Sequence, residues 1–118
     1  MIIERADVRS TWPDVYPLMA AHWAELYDTP FKLDTNVVEA AMAANLCRLF
    51  VARDDKIIGY AMYLLSPALF DMGNIEATEL GVFISPDHRK GSLAVRLLSF
   101  ADRELLDEGV SDLSLIHI

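Results

Sequence analysis

A short basic turn carries the residues in this chain that are best suited to chemistry. The apolar run at residues 80–84 has the composition of a strand, and Pro86 ends it because proline cannot donate to a strand ladder. The basic stretch 88–90 and Gly91 follow, and a helical pattern of leucines begins at Leu93. The first N–H groups of a helix have no internal partner, and the helix dipole favours negative charge there. The turn is therefore suited to binding a pyrophosphate.

The same turn resembles motif A of the GNAT superfamily of N-acetyltransferases. That family's pattern is Gln/Arg-x-x-Gly-x-Gly/Ala at the start of a helix, after a strand. Here the segment contains Arg89, Lys90, Gly91, Ser92, Leu93 and Ala94. Arg89 and Ala94 match the pattern, whereas Ser92 stands where the family usually has glycine and Gly91 comes one position early. The alternative interpretation is an ordinary β-to-α connection with a surface Arg-Lys pair.

The resemblance implies a binding site for acetyl-CoA. In the family, the pantetheine arm pairs with the backbone of the strand before the motif, which here is the backbone of Val82, Phe83 and Ile84. The pyrophosphate would bind the N–H groups of the motif, at Arg89, Lys90, Gly91, Ser92, Leu93 and Ala94. Each charge-assisted hydrogen bond to phosphate contributes roughly 1.5–3 kcal/mol. A core strand at residues 80–84 is compatible with this role, because the cofactor would use the backbone.

Acetyl transfer also requires a neutral amine, and a carboxylate, often acting through water, commonly removes the proton. Glu76 and Glu79 lie on or just before the long strand, three positions apart and therefore on opposite sides. We predict Glu79 as the catalytic base because it is nearer to the cofactor slot. A solvated edge glutamate is an equally good interpretation. The family often supplies a tyrosine acid from a later helix, for which this chain offers no candidate.

The end of the first predicted helix carries a second group of polar side chains. His22, Glu25 and Tyr27 lie there, and the resemblance places them beside the acceptor pocket, where they could contact a cationic amine. Half-buried helix positions without a chemical role are the simpler interpretation. Cys47 is the only cysteine and reads as a small core residue. No cysteine and histidine spacing is typical of a metal site, so no metal is expected.

Composition narrows the classes of partner. The formal net charge is −8, which disfavours a nucleic-acid partner and favours a small cationic amine. No apolar run is long enough to cross a bilayer, and the first residues do not form a signal peptide, so no membrane partner and a cytoplasmic location are expected.

The apolar pattern predicts eight elements in the order β-α-α-β-β-β-α-β. They are a strand at 1–5, a first helix with regular apolar spacing at 15–27, a helix at 36–45, strands at 49–52, 57–65 and 75–85, a helix at 93–108 and a strand at 113–118. Asp7 or Ser10 is a candidate cap for the first helix, and Pro13 fits an early helical position. This is the GNAT order, and it implies an α+β fold, arranged as a three-layer α/β sandwich with a mixed central sheet, over one domain at residues 1–118. The family normally continues with a helix and two strands. We therefore expect a C-terminally incomplete domain whose last strand is exposed and could pair in a homodimer.

These features together predict an N-acetyltransferase that moves an acetyl group from acetyl-CoA directly to a primary amine in a ternary complex. One alternative is a non-catalytic acyl-CoA-binding module or an inactive fragment. Another is a structural α+β domain whose motif resemblance is accidental. Binding of acetyl-CoA would exclude the structural domain. Turnover would then distinguish the enzyme from the binding module or inactive fragment.

Overall fold

A computed structural model describes residues 1–32, 35–67, 75–110 and 112–114 and confirms the predicted α+β order. The elements are β1 (Ile2–Ala6), α1 (Val8–Leu26), α2 (Thr35–Ala43), β2 (Cys47–Asp54), β3 (Lys56–Pro67), β4 (Ile75–Ile84), a 3-10 turn (Pro86–His88), α3 (Leu93–Asp107) and β5 (Asp112–Ser114). The sheet runs in the order β1-β2-β3-β4-β5. Neighbouring strands are antiparallel except for β4 and β5, which are parallel. In the part of the chain that the structure describes, no helix is both long and apolar enough for a membrane span.

Helix α1 begins earlier than the apolar pattern predicts. Asp7 is its N-cap, and the carboxylate accepts a hydrogen bond of 3.0 Å from the N–H of Ser10. Pro13 and Pro17 lie inside the helix without ending it. The apolar periodicity is regular only from residue 15, but the sequence also offers Asp7 and Ser10 as caps, and the structure confirms Asp7. Of the last predicted strand, β5 contains only the beginning, and residues 115–118 lie outside the described part.

Two apolar layers cover the faces of the sheet, as the three-layer prediction requires. On one face, α3 buries the side chains that recur at helical spacing, namely Leu93, Leu97, Ala101 and Leu105. On the other face, α1 packs Val15 against the second cluster, which includes Leu49, Tyr60 and Phe83. We call these the α3 face and the α1 face.

A β-bulge in β4 changes which side chains share a face. Met62 of β3 is opposite Gly81, but the next residue, Tyr63, is opposite Glu79, so Leu80 is the extra residue. Cross-strand partners share a face, and Tyr63 belongs to the α3-face cluster. Glu79 therefore lies on the α3 face, whereas Gly81 approaches Tyr60 on the α1 face. Because of the bulge, these two residues lie on opposite faces of the sheet.

An ion-pair network joins the end of α3 to the start of β2. Arg48 is only 7% exposed, and its Nε lies 2.9 Å from both carboxylate oxygens of Glu108. Its Nη1 donates to the backbone oxygens of Asn45 and Cys47 at 2.8 and 3.0 Å. Arg5 approaches the same carboxylate at 3.3 Å. The Arg48 hydrogen bonds hold the pKa of Glu108 below its usual range.

Candidate functional site

Among the residues that the structure describes, one edge of β4 has no strand beside its second half. Strand β5 pairs only with Glu76, Ala77 and Thr78, and among the described residues no strand lies beside the rest of β4 on that side. We call residues 79–84 of this side the open edge. Such an edge offers backbone donors and acceptors to an extended ligand.

Alternation along the strand determines which residues face the open edge. The N–H of Ser85 donates to the Ile58 oxygen at 2.7 Å, toward β3. Alternate residues of an antiparallel strand direct their backbone groups to the same side, so Phe83 also faces β3. Val82 and Ile84 consequently face the open edge. Of the three predicted pantetheine partners, Val82 and Ile84 are suitably placed, whereas Phe83 can offer only its ring.

The start of α3 lies next to the open edge and leaves N–H groups without helical partners. The first hydrogen bond of the helix runs from the N–H of Arg96 to the oxygen of Ser92, at 2.9 Å. The N–H groups of Leu93 and Ala94 precede it and are therefore not used by the helix. Ser92 is exposed and makes no side-chain capping bond. The leucine side chain at position 93 is buried in the core, so only its backbone is accessible at this point.

The displaced glycine of the motif has a conformational explanation. Gly91 has a φ of +100°, in the left-handed region that favours glycine. A Cβ at this position would meet nothing within 4 Å, so the glycine serves the turn rather than a close contact. Ser92 has a φ of −103° and does not need to be glycine. Lys90, like these two residues, is exposed.

Arg89 folds back across the open edge. Its Nε donates to the Ile84 oxygen at 2.8 Å, and its Nη2 reaches the Glu25 carboxylate at 2.5 Å. The guanidinium lies 5.2 Å from the centre of the Phe83 ring. The hydrogen bond from Arg89 holds the pKa of Glu25 below its usual range. Because both side chains are more than a third exposed, at 43% and 40%, this ion pair contributes little to stability and can be exchanged for a ligand.

His22 lies in α1, one turn before Glu25, and packs on the α1 face of β4. Its Nδ1 is 3.2 Å from the Tyr60 hydroxyl, and its ring centre is 5.3 Å from that of Phe83. The pKa of His22 lies below its usual value, mainly because the ring is partly buried. The charge of Glu25 raises this pKa, whereas the charge of Arg89 lowers it. Burial likewise raises the pKa of Tyr60 well above its ordinary value. At neutral pH the pair is therefore a neutral imidazole against a neutral phenol.

These groups surround one cleft of about 290 Å³. It is lined by His22, Glu25, Leu26, Val82, Phe83, Ile84, Arg89 and Ala94. The cleft thus brings together predicted cofactor residues from β4 and the motif and two of the predicted acceptor residues from α1. Tyr27, the third acceptor residue, does not line it; the centre of its ring lies 4.2 Å from that of Trp23.

The predicted base lies elsewhere. Glu79 is 5% exposed, so the interpretation as a solvated edge glutamate is wrong. It faces the α3 layer beside Tyr63, not the cleft, because the bulge at Leu80 reverses the alternation. Its catalytic role stays a prediction. Glu76, the second choice, is partly exposed and lies opposite Ser66.

Sequence reasoning missed Tyr60 as a site residue. It lies within the apolar run of β3 and reads as a core side chain, which it also is at 2% exposure. Only the register with β4 and the position of α1 show that its hydroxyl meets His22.

A wider groove of about 520 Å³ lies between α1 and α2. It is lined by Arg9, Trp12, Val38, Glu39, Met42 and Ala43, none of which was predicted as a site residue. We call it the α1–α2 groove. Among the described residues, no group of three or more histidine, cysteine, aspartate or glutamate side chains is arranged to hold a metal ion.

Comparison with solved structures finds acetyltransferases of the same fold. A ribosomal-protein-alanine N-acetyltransferase from Brucella melitensis biovar Abortus 2308 has a TM-score of 0.75 at 19% identity, covering 99% of this chain and 79% of that one. An aminoglycoside acetyltransferase from an uncultured soil metagenomic sample, in complex with sisomicin, has a TM-score of 0.78 at 15% identity, with coverages of 99% and 77%. A predicted acetyltransferase with acetyl-CoA from Clostridium acetobutylicum has a TM-score of 0.77 at 16% identity, with coverages of 98% and 80%.

At these identities the solved structures establish the fold alone. No curated protein matches the chain. The family is established instead by a model described as the acetyltransferase (GNAT) family, which matches residues 11–117 and so nearly the whole sequence. Together with the open edge of β4 and the unpaired start of α3, this match shows that the chain belongs to the GNAT acetyltransferase family.

Proposed function

We propose that this protein transfers the acetyl group of acetyl-CoA to a primary amine, directly and within a ternary complex. The observation that carries the proposal is the meeting of two complementary surfaces at one cleft. The backbone of Val82 and the N–H of Ile84 suit the amides of a pantetheine arm, while the Ile84 oxygen accepts from Arg89. The N–H groups of Leu93 and Ala94 suit its pyrophosphate. Acetyl-CoA carries both groups on one flexible chain.

The two surfaces also give the cofactor a direction. The pyrophosphate end belongs at α3, beside Ile84. The pantetheine then runs along the open edge toward Gly81, a distance of roughly 10 Å for three residues of strand. The thioester therefore lies near the bulge. The amine nitrogen attacks the thioester carbonyl, a C–N bond forms, the C–S bond breaks, and the amine proton must be removed.

The charge of the cleft favours a cationic acceptor. Glu25 contributes a carboxylate that is paired with the exposed side chain of Arg89, and the whole chain is acidic. A small polyamine or an aminoglycoside-like compound fits this charge better than an acidic substrate. Two of the three neighbours described above are an aminoglycoside acetyltransferase and a ribosomal-protein-alanine N-acetyltransferase, which supports an amine as the acceptor class.

The alternative, a module that binds acyl-CoA without catalysis, is kept because Glu79 faces away from the cleft. A cytoplasmic location and a homodimer formed through the last strand also remain predictions. Light scattering over a concentration series would test the homodimer.

The experiment is a thiol-release assay with acetyl-CoA and a panel of amines, with mass spectrometry of the products. We expect release of coenzyme A that depends on the amine, and a product one acetyl group heavier. Coenzyme A binding without turnover on any amine would favour the binding module. Failure to bind coenzyme A would refute both.

A further inference from the structure

We propose that His22, oriented by Tyr60, accepts the proton that the acceptor amine loses during acetyl transfer. The inference rests on the proposed acetyl transfer and goes beyond it by assigning the base. It replaces Glu79, which the sequence predicts for this role. The geometry points to His22 through its position along the cleft, its hydrogen bond to Tyr60, and the face of the sheet on which it lies.

The position of His22 matches the thioester end of the cleft. His22 and Glu25 are one helical turn apart and so share a side of α1. Glu25 accepts a hydrogen bond from Arg89 at the end of the cleft that adjoins the motif. His22 lies at the other end, where a Cβ placed on Gly81 would be 4.0 Å from the histidine Cε1. An amine that reaches the thioester near Gly81 therefore approaches His22.

Tyr60 can set which imidazole nitrogen is free. Its hydroxyl is 3.2 Å from Nδ1. If Nδ1–H donates to this oxygen, the lone pair of the neutral ring is on Nε2, which is then the basic nitrogen available to the cleft that His22 lines. Protonation of Nε2 makes the ring cationic and strengthens the Nδ1–H donation, because hydrogen bonds from charged donors are stronger. Tyr60 is thus the positioning residue.

The surroundings keep the ring neutral at physiological pH. The groups that face it are Glu25 on the same helix, Arg89 on the turn after β4, and Tyr60 on β3, while β4 presents uncharged Gly81 and Phe83. Burial and Arg89 together outweigh Glu25, so the pKa lies below the ordinary value of 6.5. A neutral imidazole is the form that can accept a proton.

Glu79, the base that the sequence predicts, lies on the other face of the sheet from the thioester end of the cleft. Glu79 is on the α3 face and 5% exposed, whereas His22 contacts the α1 face and lines the cleft. In the reaction, the amine nitrogen bonds the carbonyl carbon, its proton passes to Nε2, and the thiolate of coenzyme A leaves and takes a proton from water. His22 returns its proton to water and is regenerated.

The kinetic test is the pH dependence of kcat/KM for wild type, His22→Gln, Tyr60→Phe and Glu79→Gln. Wild-type kcat/KM should rise with pH through the pKa of His22. His22→Gln should lower kcat at least about 100-fold and remove this limb, with coenzyme A affinity unchanged. Tyr60→Phe should retain the limb with a smaller loss. Loss of the limb in Glu79→Gln, or its survival in His22→Gln, would overturn the proposal.

A second measurement does not depend on turnover. Nitrogen-15 NMR of the imidazole side chains gives the tautomer and pKa, and the chain has only three histidines to assign. We expect the Nδ1–H tautomer and a pKa below 6.5 for His22. An Nε2–H tautomer, or a pKa at or above 6.5, would refute the assignment. Wild type that transfers acetyl to no amine would refute the proposed function instead, and the NMR result would still decide the state of His22.

Discussion

Replacing Ser92 by glutamate tests the pyrophosphate site without disturbing the fold. Ser92 is exposed and is the N-cap of α3, yet its side chain makes no capping bond. Replacing the serine side chain therefore removes no hydrogen bond that caps the helix. A carboxylate near a helix N-terminus is itself favoured, by about 0.3–1 kcal/mol. We expect Ser92→Glu to fold as wild type does.

The cost to coenzyme A binding follows from Coulomb's law. A pyrophosphate on the N–H groups of Leu93 and Ala94 would lie roughly 5 Å from the new carboxylate. With about two negative charges and an effective dielectric constant of about 40, the repulsion is about 3 kcal/mol. This corresponds to a loss of affinity of roughly 150-fold.

Calorimetry with coenzyme A measures this loss, and Ser99→Glu is the matched control. Ser99 is exposed on the same helix, and its substitution changes the net charge equally. It lies seven residues on, about 10 Å along the axis, which exceeds the Debye length of about 8 Å at physiological salt. We expect the control to bind within about twofold of wild type. Wild-type affinity in a folded Ser92→Glu protein, or equal losses in both variants, would refute the site.

Two further substitutions test the ion pairs. Glu108→Gln leaves the buried Arg48 without its charge partner and should lower the free energy of unfolding by about 1–2 kcal/mol, less than for a fully buried pair because Glu108 is partly open to solvent. Arg48 lowers the pKa of Glu108 in the folded protein. The extra stability of wild type over Glu108→Gln is therefore fully present above the pKa of Glu108 in the unfolded chain, and it should shrink as pH falls through the folded pKa. Urea titrations at several pH values measure this difference in unfolding free energy, and a difference that stayed constant with pH would contradict the reasoning. Glu25→Gln frees Arg89 from its partner and should tighten coenzyme A binding, by up to about fivefold, while raising KM for a cationic amine. Glu39→Gln, an exposed change of equal charge on α2, should do neither, and weaker coenzyme A binding in Glu25→Gln would count against the role given to Arg89.

The sequence predicts the order of elements and the location of the candidate cofactor site because both depend on local signals. The strand, the proline, the glycine turn and the leucine spacing of α3 all act within a few residues. Asp7 at the start of α1 and Gly109, with a φ of +105° after α3, are local signals of the same kind. These determine where elements begin and end, and hence where the helix start meets the strand.

The faces of β4 could not be predicted in this way. The extra residue, Leu80, is apolar and exposed, so the hydrophobic pattern continues through the bulge without a visible break. Yet the bulge reverses the alternation, and Glu79 therefore turns to the α3 face. The pairs Arg89–Glu25 and His22–Tyr60 are equally non-local, because they depend on how α1 packs over the sheet. Catalytic assignments from the sequence are weakest where one residue of register decides them.

The most direct test of the account is where coenzyme A contacts the protein. In a nitrogen-15 NMR titration, the account predicts the largest amide shifts at Val82 and Ile84 on the open edge of β4, and at Leu93 and Ala94 at the start of α3. These amides should also exchange more slowly with solvent when the cofactor is bound, because they then donate to it. Saturable binding with its largest shifts in the α1–α2 groove, and none at these four amides, would contradict the account.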